Sequence, residues 1–170
     1  NLIPSDFEYI GKDYGLISRY LAKAVKNKLA GVNILVHGRP GTGKTELVKT
    51  MTDELGLSLY EISVADKDGD ALTGNRRFSA YQLCQKILTR QKKALVLFDE
   101  AEDVFPGGSM SDAMTKSNED RRKAWINRQL ENNPVPAIWV SNNIEQIDNA
   151  FIRRFDFVLK LDHPPKNIRA

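Results

Sequence analysis

The stretch Gly38-Arg39-Pro40-Gly41-Thr42-Gly43-Lys44-Thr45 fits the phosphate-binding pattern G-x-x-x-x-G-K-[ST] at every fixed position. The run Asn33-Ile34-Leu35-Val36, apolar after its first residue, precedes it and is typical of a short buried strand, and a helical pattern with apolar residues on one side follows it. In this setting the glycines let backbone N–H groups turn toward phosphate oxygens, and the positive end of the helix points at the same anion. The stretch therefore predicts a nucleotide-binding P-loop between a strand and a helix.

Strand and helix patterns alternate on either side of this loop. Strands are predicted at 33–36, 57–64, 94–98, 137–140 and 157–161, and helices after Asp13, after the loop, at 79–91 and around 120–130. Strands spaced by helices form right-handed βαβ units. We therefore expect one α/β domain with a parallel five-stranded sheet flanked by helices on both faces. The segment 106–117 is rich in Gly, Ser and Met, and we expect a mobile surface loop there.

The loop and one of the strands supply the candidate residues for nucleotide chemistry. Lys44 is expected to reach the β- and γ-phosphates, and the Thr45 hydroxyl to coordinate Mg²⁺. The apolar run 94–98 ends in Asp99 and Glu100, and ligands bind at the carboxyl ends of parallel strands. Asp99 is expected to hold Mg²⁺ directly or through water, and Glu100 to polarise a water for attack on the γ-phosphorus. Two acids alone could equally form a solvated strand end, but the P-loop favours the functional interpretation.

Composition and charge exclude several other classes of protein. Hydrophobic residues make up 41% and charged residues 28% of the 170, and no apolar run is long enough to span a bilayer. The net charge is +3, and the small basic clusters at 90–93 and 121–123 are interpreted as solvated helix surface rather than as a nucleic-acid interface. No signal peptide is expected at the start of the chain. The single cysteine, Cys84, is predicted to be a buried thiol, and an intracellular, cytoplasmic protein is the simplest interpretation.

Taken together, these motifs resemble the AAA family of ATPases, within the AAA+ class, along nearly the whole chain. The run Asp99-Glu100-Ala101-Glu102 matches the family sequence D-E-x-[DE]. The segment 7–11 looks like the part of the family that packs on adenine, with Ile10 and Gly11 as the candidates. An ordinary path of the chain into the core explains that segment equally well. The stretches 59–70 and 94–105 look most like bacterial AAA ATPases of poorly defined function.

Two further segments carry the resemblance. Asn142 stands where the family has the asparagine of A-T-N, which implies a polar sensor of the γ-phosphate, and Asn143 is the alternative if the register shifts by one. Residues 147–156 are similar to I-D-P-A-L-[LI]-R-R-F-[DE], in which arginines reach the ATP of a neighbouring subunit. Arg154 is the first candidate for that role and Arg153 the second. The alternative for both arginines is a basic helix end favoured by the helix dipole.

The chain departs from the family pattern in two places. The axial pore loop of the family carries an aromatic residue, whereas the matching residues here are Leu72-Thr73-Gly74. The family also continues, after a linker like Pro164-Pro165, into a helical lid that is absent from residues 1–170. The resemblance therefore implies an excised nucleotide-binding α/β core. We expect this fragment to be a monomer and the full-length protein to form a homo-oligomeric ring, a hexamer.

The resemblance implies binding of ATP with Mg²⁺ and hydrolysis to ADP, driving the remodelling of a macromolecular client that the sequence does not name. A nucleotide-dependent scaffold or switch with little hydrolysis is the alternative. A P-loop kinase of small molecules is disfavoured, because the second acid and the paired arginines suit hydrolysis between subunits better than transfer to a bound acceptor.

Overall fold

The computed structural model describes residues 10–65, 68–105 and 113–162, and only the backbone of 113–119. In this part of the chain five strands form a single sheet: β1 (Asn33–His37), β2 (Ser58–Glu61), β3 (Ala94–Phe98), β4 (Ala137–Ser141) and β5 (Phe157–Lys160). Their order is β2-β3-β4-β1-β5, and every neighbouring pair is parallel. The predicted parallel five-stranded sheet is confirmed, and β1, which leads into the P-loop, lies inside it.

The helices are α1 (Lys12–Asn27), α2 (Lys44–Glu54), α3 (Gly74–Leu88), α4 (Ala113–Asn132) and the short α5 (Asn149–Ile152). Alternate residues of each strand point to opposite faces of the sheet, so each face has its own apolar cluster. One cluster joins Val96, Phe98 and Trp139 to α3, α4 and α5. The other joins Ile34 and Leu95 to α1 and α2. Helices therefore cover both faces, as predicted.

Three predicted segments differ from the structure. Strand β2 ends at Glu61 rather than 64, because Ala65 and Ala71 pair in an antiparallel bridge that folds the chain back on itself. Helix α3 begins five residues before the predicted 79, at Gly74. Helix α4 begins at Ala113, so the predicted loop is wrong over 113–117, and 106–112 lie outside the described residues.

The prediction that Cys84 is buried is wrong, because its side chain is only half-buried. It lies on α3 beside Leu83 and Ile87, whose exposed fractions are 60% and 66%. Only part of this helix face meets the sheet, and partial burial still raises the pKa of the Cys84 thiol. Among the described helices, none combines the length and apolar character that crossing a bilayer requires.

Candidate nucleotide-binding site

The P-loop lies at the carboxyl end of β1, between β4 and β5, and leads directly into α2. Gly41 and Gly43 have φ angles of 77° and 87°, a left-handed conformation that glycine adopts without steric cost. The buried Thr42 hydroxyl donates a hydrogen bond of 2.9 Å to the Arg39 carbonyl, which closes the loop on itself. Arg39, Pro40 and Gly41 form its exposed outer part. Helix α2 begins at Lys44, so its free N–H groups face the loop.

Lys44 is drawn into the loop and is only 6% exposed. Its Nζ donates to the carbonyls of Gly38 at 2.8 Å and Arg39 at 3.0 Å, and to Oδ1 of Asn142 at 2.9 Å. Burial lowers the pKa of Lys44, while the carboxylates of Asp99 and Glu102 act in the opposite direction. The ammonium therefore lies where β1 and β4 end side by side.

Thr45 and Asp99 come together although they are 54 residues apart in sequence. The Thr45 hydroxyl donates to Oδ2 of Asp99 at 2.9 Å, and the Glu100 backbone N–H donates to Oδ1 of the same carboxylate at 2.8 Å. Both carboxylate oxygens are thereby fixed at the start of α2. A hydroxyl and a carboxylate are the hard oxygen ligands that Mg²⁺ prefers, so the side chains at this position fit that ion.

Glu100 follows Asp99 and is exposed at the same edge of the sheet. Its backbone is left-handed, with φ 53° and ψ 51°, which is uncommon for a residue with a side chain. Within the described ranges, no hydrogen bond or ion pair engages its carboxylate. The strand end thus presents one acid that is fixed by Thr45 and a second that is accessible to water.

The structure distinguishes the two asparagines that follow β4. Asn142 accepts from Lys44 at 2.9 Å, whereas the Asn143 side chain turns away and accepts from the Glu145 N–H at 3.0 Å. Asn143 therefore caps the short 3₁₀ helix at 144–146. The sequence favours a structural or interface role for Glu102 and leaves a functional one open, and in the structure its Oε1 accepts from the Asn142 N–H at 3.3 Å. Only its position in the run 99–102 pointed to this contact.

Arg153 and Arg154 lie in the turn after α5, and both are exposed. Arg154 pairs with Glu131 at the end of α4, with Nη1 and Oε1 2.5 Å apart and both side chains about half exposed. An exposed pair of this kind contributes about 0–1 kcal/mol, so it does not fix the arginine firmly. No hydrogen bond or ion pair between described residues joins either arginine to the P-loop of its own chain.

Ile10 and Gly11 lie just before α1. Gly11 is its N-terminal cap and is exposed, whereas Ile10 is half-buried and packs against the apolar cluster of α1 and α2. The structure thus places these residues on the same face of the sheet as α2. Their contact with adenine stays a prediction. The preceding residues 7–9 lie outside the described part of the chain.

Residues 34–163 match the model of a family described as "ATPase family associated with various cellular activities (AAA)". The chain belongs to this family. It is an AAA ATPase domain, and the resemblance first seen in the P-loop and in 99–102 is confirmed.

Similar proteins agree with this assignment. The chain is 27% identical over 133 residues to the ATPase family AAA domain-containing protein 3A homolog of Drosophila melanogaster, covering 78% of this chain and 22% of that protein. It is 28% identical over 159 residues to a putative 26S proteasome regulatory subunit homolog of Methanothermobacter marburgensis, covering 88% and 40%. The AAA domain thus spans less than half the length of these curated relatives.

A solved structure shows the same fold. A chain of the HORMA:CdnC:Trip13 complex from E. coli MS115-1 superposes with a TM-score of 0.67 at 18% identity, covering 99% of this chain and 66% of that chain. At this level of identity the likeness establishes the AAA fold alone.

Proposed function

We propose that this AAA domain binds ATP with Mg²⁺ at the P-loop and hydrolyses it to ADP and phosphate. We further propose that the full-length protein, as a homo-oligomeric ring, uses this hydrolysis to remodel a macromolecular client. The observation that carries the proposal is the meeting of three strand ends at one point. Lys44 contacts Asn142 and Thr45 contacts Asp99, each at 2.9 Å, so residues that follow β1, β3 and β4 converge on one site.

The phosphates are assigned to the loop and the start of α2. Backbone N–H groups of the glycine-rich turn and the helix N-terminus provide donors and positive potential for an anion. Lys44 would exchange its bonds to the loop carbonyls and Asn142 for bonds to the β- and γ-phosphates. The ammonium is already buried beside the loop that would hold the phosphates.

Thr45 and Asp99 are the residues that would hold Mg²⁺, supported by their hydroxyl–carboxylate contact of 2.9 Å. The ion would neutralise charge on the β- and γ-phosphate oxygens. Within the described residues, no group of three or more His, Cys, Asp or Glu side chains could hold a metal ion. The proposed site needs no such group, because one carboxylate and one hydroxyl would share the ion with the phosphates of the nucleotide.

Glu100 is assigned to the attacking water. As the water oxygen bonds to the γ-phosphorus, the bond from that phosphorus to the β–γ bridging oxygen breaks, and Glu100 accepts the proton. Its exposed carboxylate is suited to this role, since no described cation neutralises it. Asn142, held between Lys44 and Glu102, would detect the γ-phosphate.

Arg153 and Arg154 are the candidates for acting on the nucleotide of a neighbouring subunit in the ring. Their support is exposure after α5 and the weak hold of Glu131 on Arg154. Ile10 and Gly11 are the candidates on the adenine side, supported by their place on the α2 face of the sheet.

Replacing Lys44 by alanine is expected to weaken binding of a non-hydrolysable ATP analogue by at least about 10²-fold. Hydrogen bonds to charged groups contribute about 1.5–3 kcal/mol each, and about 1.4 kcal/mol corresponds to a tenfold change in affinity. Calorimetric titration in the presence of Mg²⁺ measures the dissociation constant. Lys49→Ala is the matched control, because Lys49 lies on α2 but is exposed and paired with Glu46. Equal affinity in the Lys44→Ala protein and the parent would contradict the assignment of the P-loop.

A further inference from the structure

A buried arginine, Arg77, lies behind the strand end that carries the two acids. It belongs to the first turn of α3, where its N–H donates to the Thr73 carbonyl at 2.9 Å, and it is only 1% exposed. A guanidinium is costly to bury unless its donors are paired. The groups that accept its hydrogen bonds therefore indicate its role.

Two of these acceptors are backbone carbonyls of the proposed site. Nη2 of Arg77 donates to the Asp99 carbonyl, and Nη1 donates to the Glu100 carbonyl at 3.4 Å. Nη1 also pairs with the Asp103 carboxylate at 3.2 Å, and the guanidinium lies 4.5 Å from the centre of the Phe98 ring. The rigid fork of the guanidinium thus spans the chain from the last residue of β3 to the turn after it.

That turn is held in an unfavourable backbone conformation. Glu100 is left-handed, which crowds its Cβ against the following carbonyl and costs free energy in any residue except glycine. Helix α3 also packs tightly on the segment that follows Glu100, since a Cβ on Gly74 would lie 2.2 Å from the Asp103 carbonyl oxygen. The start of α3 and the turn that contains Glu100 therefore support each other.

We propose that Arg77 is a positioning residue for ATP hydrolysis. By binding the carbonyls of Asp99 and Glu100 it fixes the left-handed turn, and so directs the Glu100 carboxylate to the attacking water without touching the nucleotide. This role rests on the proposed function of Glu100. Lys44 and the P-loop follow a different strand, β1, and the Asp99 carboxylate has its own bond to Thr45. Loss of Arg77 should therefore lower the rate of hydrolysis far more than the affinity for ATP.

The test compares Arg77→Met with the parent in the full-length protein. Methionine retains an unbranched side chain over Phe98 but donates no hydrogen bond. We expect kcat to fall by about 10²-fold, the order expected when a catalytic group is misplaced by about 1 Å. KM and the dissociation constant of a non-hydrolysable ATP analogue should change by much less than kcat, because the bond of Asp99 to Thr45 does not involve Arg77. The control is Arg76→Met, which removes the same charge from the exposed neighbouring residue and should leave kcat unchanged.

A second comparison separates positioning of Glu100 from general damage to the fold. If Arg77 acts through Glu100, adding Arg77→Met to Glu100→Gln should lower the residual rate little further. Fully multiplicative losses, or a parental kcat in Arg77→Met, would overturn the proposal.

If Arg77→Met does not fold, Arg77→Lys takes its place, since lysine keeps the charge but lacks the fork. A parental kcat in folded Arg77→Lys would then overturn it. Undiminished hydrolysis by Glu100→Gln alone would contradict the proposed function itself, and the role of Arg77 with it.

Discussion

Replacing Glu100 by glutamine is expected to leave ATP binding intact and to slow hydrolysis by about 10²–10⁴-fold. The amide has nearly the same shape as the carboxylate but cannot accept the proton of the attacking water. Asp99 keeps its bond to Thr45, so the groups that hold the nucleotide are undisturbed. Phosphate release at saturating ATP measures kcat, and titration with a non-hydrolysable analogue measures affinity.

Glu61→Gln is the matched control for this experiment. Glu61 is an exposed acid at the end of β2, the strand that pairs with β3, and therefore lies at the same edge of the sheet. The control should hydrolyse ATP at the parental rate. Parental turnover in the Glu100→Gln protein would remove Glu100 from the catalytic role.

Replacing Arg154 by alanine in the full-length protein is expected to give normal ATP binding and turnover lower by about 10³–10⁵-fold, the range for an arginine that stabilises developing phosphoryl charge. Under the proposed role the loss arises in the neighbouring subunit. In its own chain the Arg154 side chain pairs with Glu131 at the end of α4. Arg153→Ala is the comparison, since it changes the adjacent exposed residue of the same turn. A larger loss of turnover in Arg153→Ala than in Arg154→Ala would assign the arginine-finger role to Arg153 instead.

Mixing the Arg154→Ala and Glu100→Gln proteins tests whether catalysis is shared between subunits. A site that combines Glu100 of one chain with Arg154 of its neighbour is intact only in the mixture, so some phosphate release should return after the subunits have exchanged. Absence of recovery in an exchanged mixture would count against action between subunits. Normal activity of Arg154→Ala alone would exclude it as an arginine finger.

The parts of the fold that the sequence predicts best are those with uninterrupted local signals. Strand β3 has the predicted bounds because Ala94–Phe98 is a continuous apolar run that is fully buried. The strand–P-loop–helix unit is equally clear from its fixed glycines. By contrast, α4 begins with Ala113-Met114-Thr115-Lys116-Ser117, which has no repeating apolar helical period, so the pattern predicts a helix that starts too late.

The early start of α3 was missed for a different reason. Gly74 is a weak helix former, and Arg77 would ordinarily be assigned to the surface. Burial of Arg77 is offset by the carbonyl groups of Asp99 and Glu100 and by the Asp103 carboxylate, 22 to 26 residues away. Partners so distant in sequence leave no local pattern that would mark Arg77 as buried.

The site was predictable to the extent that topology determines it. Parallel strands place their carboxyl ends together, so the approach of Asp99 to Thr45 follows from the order of motifs. The resemblance ranks Asn142 ahead of Asn143, but a shift of one residue in the register would reverse that order, because both follow β4 directly. Their difference arises from a capping bond between Asn143 and Glu145 that depends on how the chain turns after the strand.

The most direct test of the proposed function is steady-state phosphate release by the full-length protein with ATP and Mg²⁺ and no added acceptor. The proposed site predicts sustained release over many turnovers, lost on chelation of Mg²⁺ and lost in both Lys44→Ala and Glu100→Gln, with ATP binding retained only in the latter. Tight binding of ATP without sustained release would contradict hydrolysis and favour a nucleotide-dependent switch.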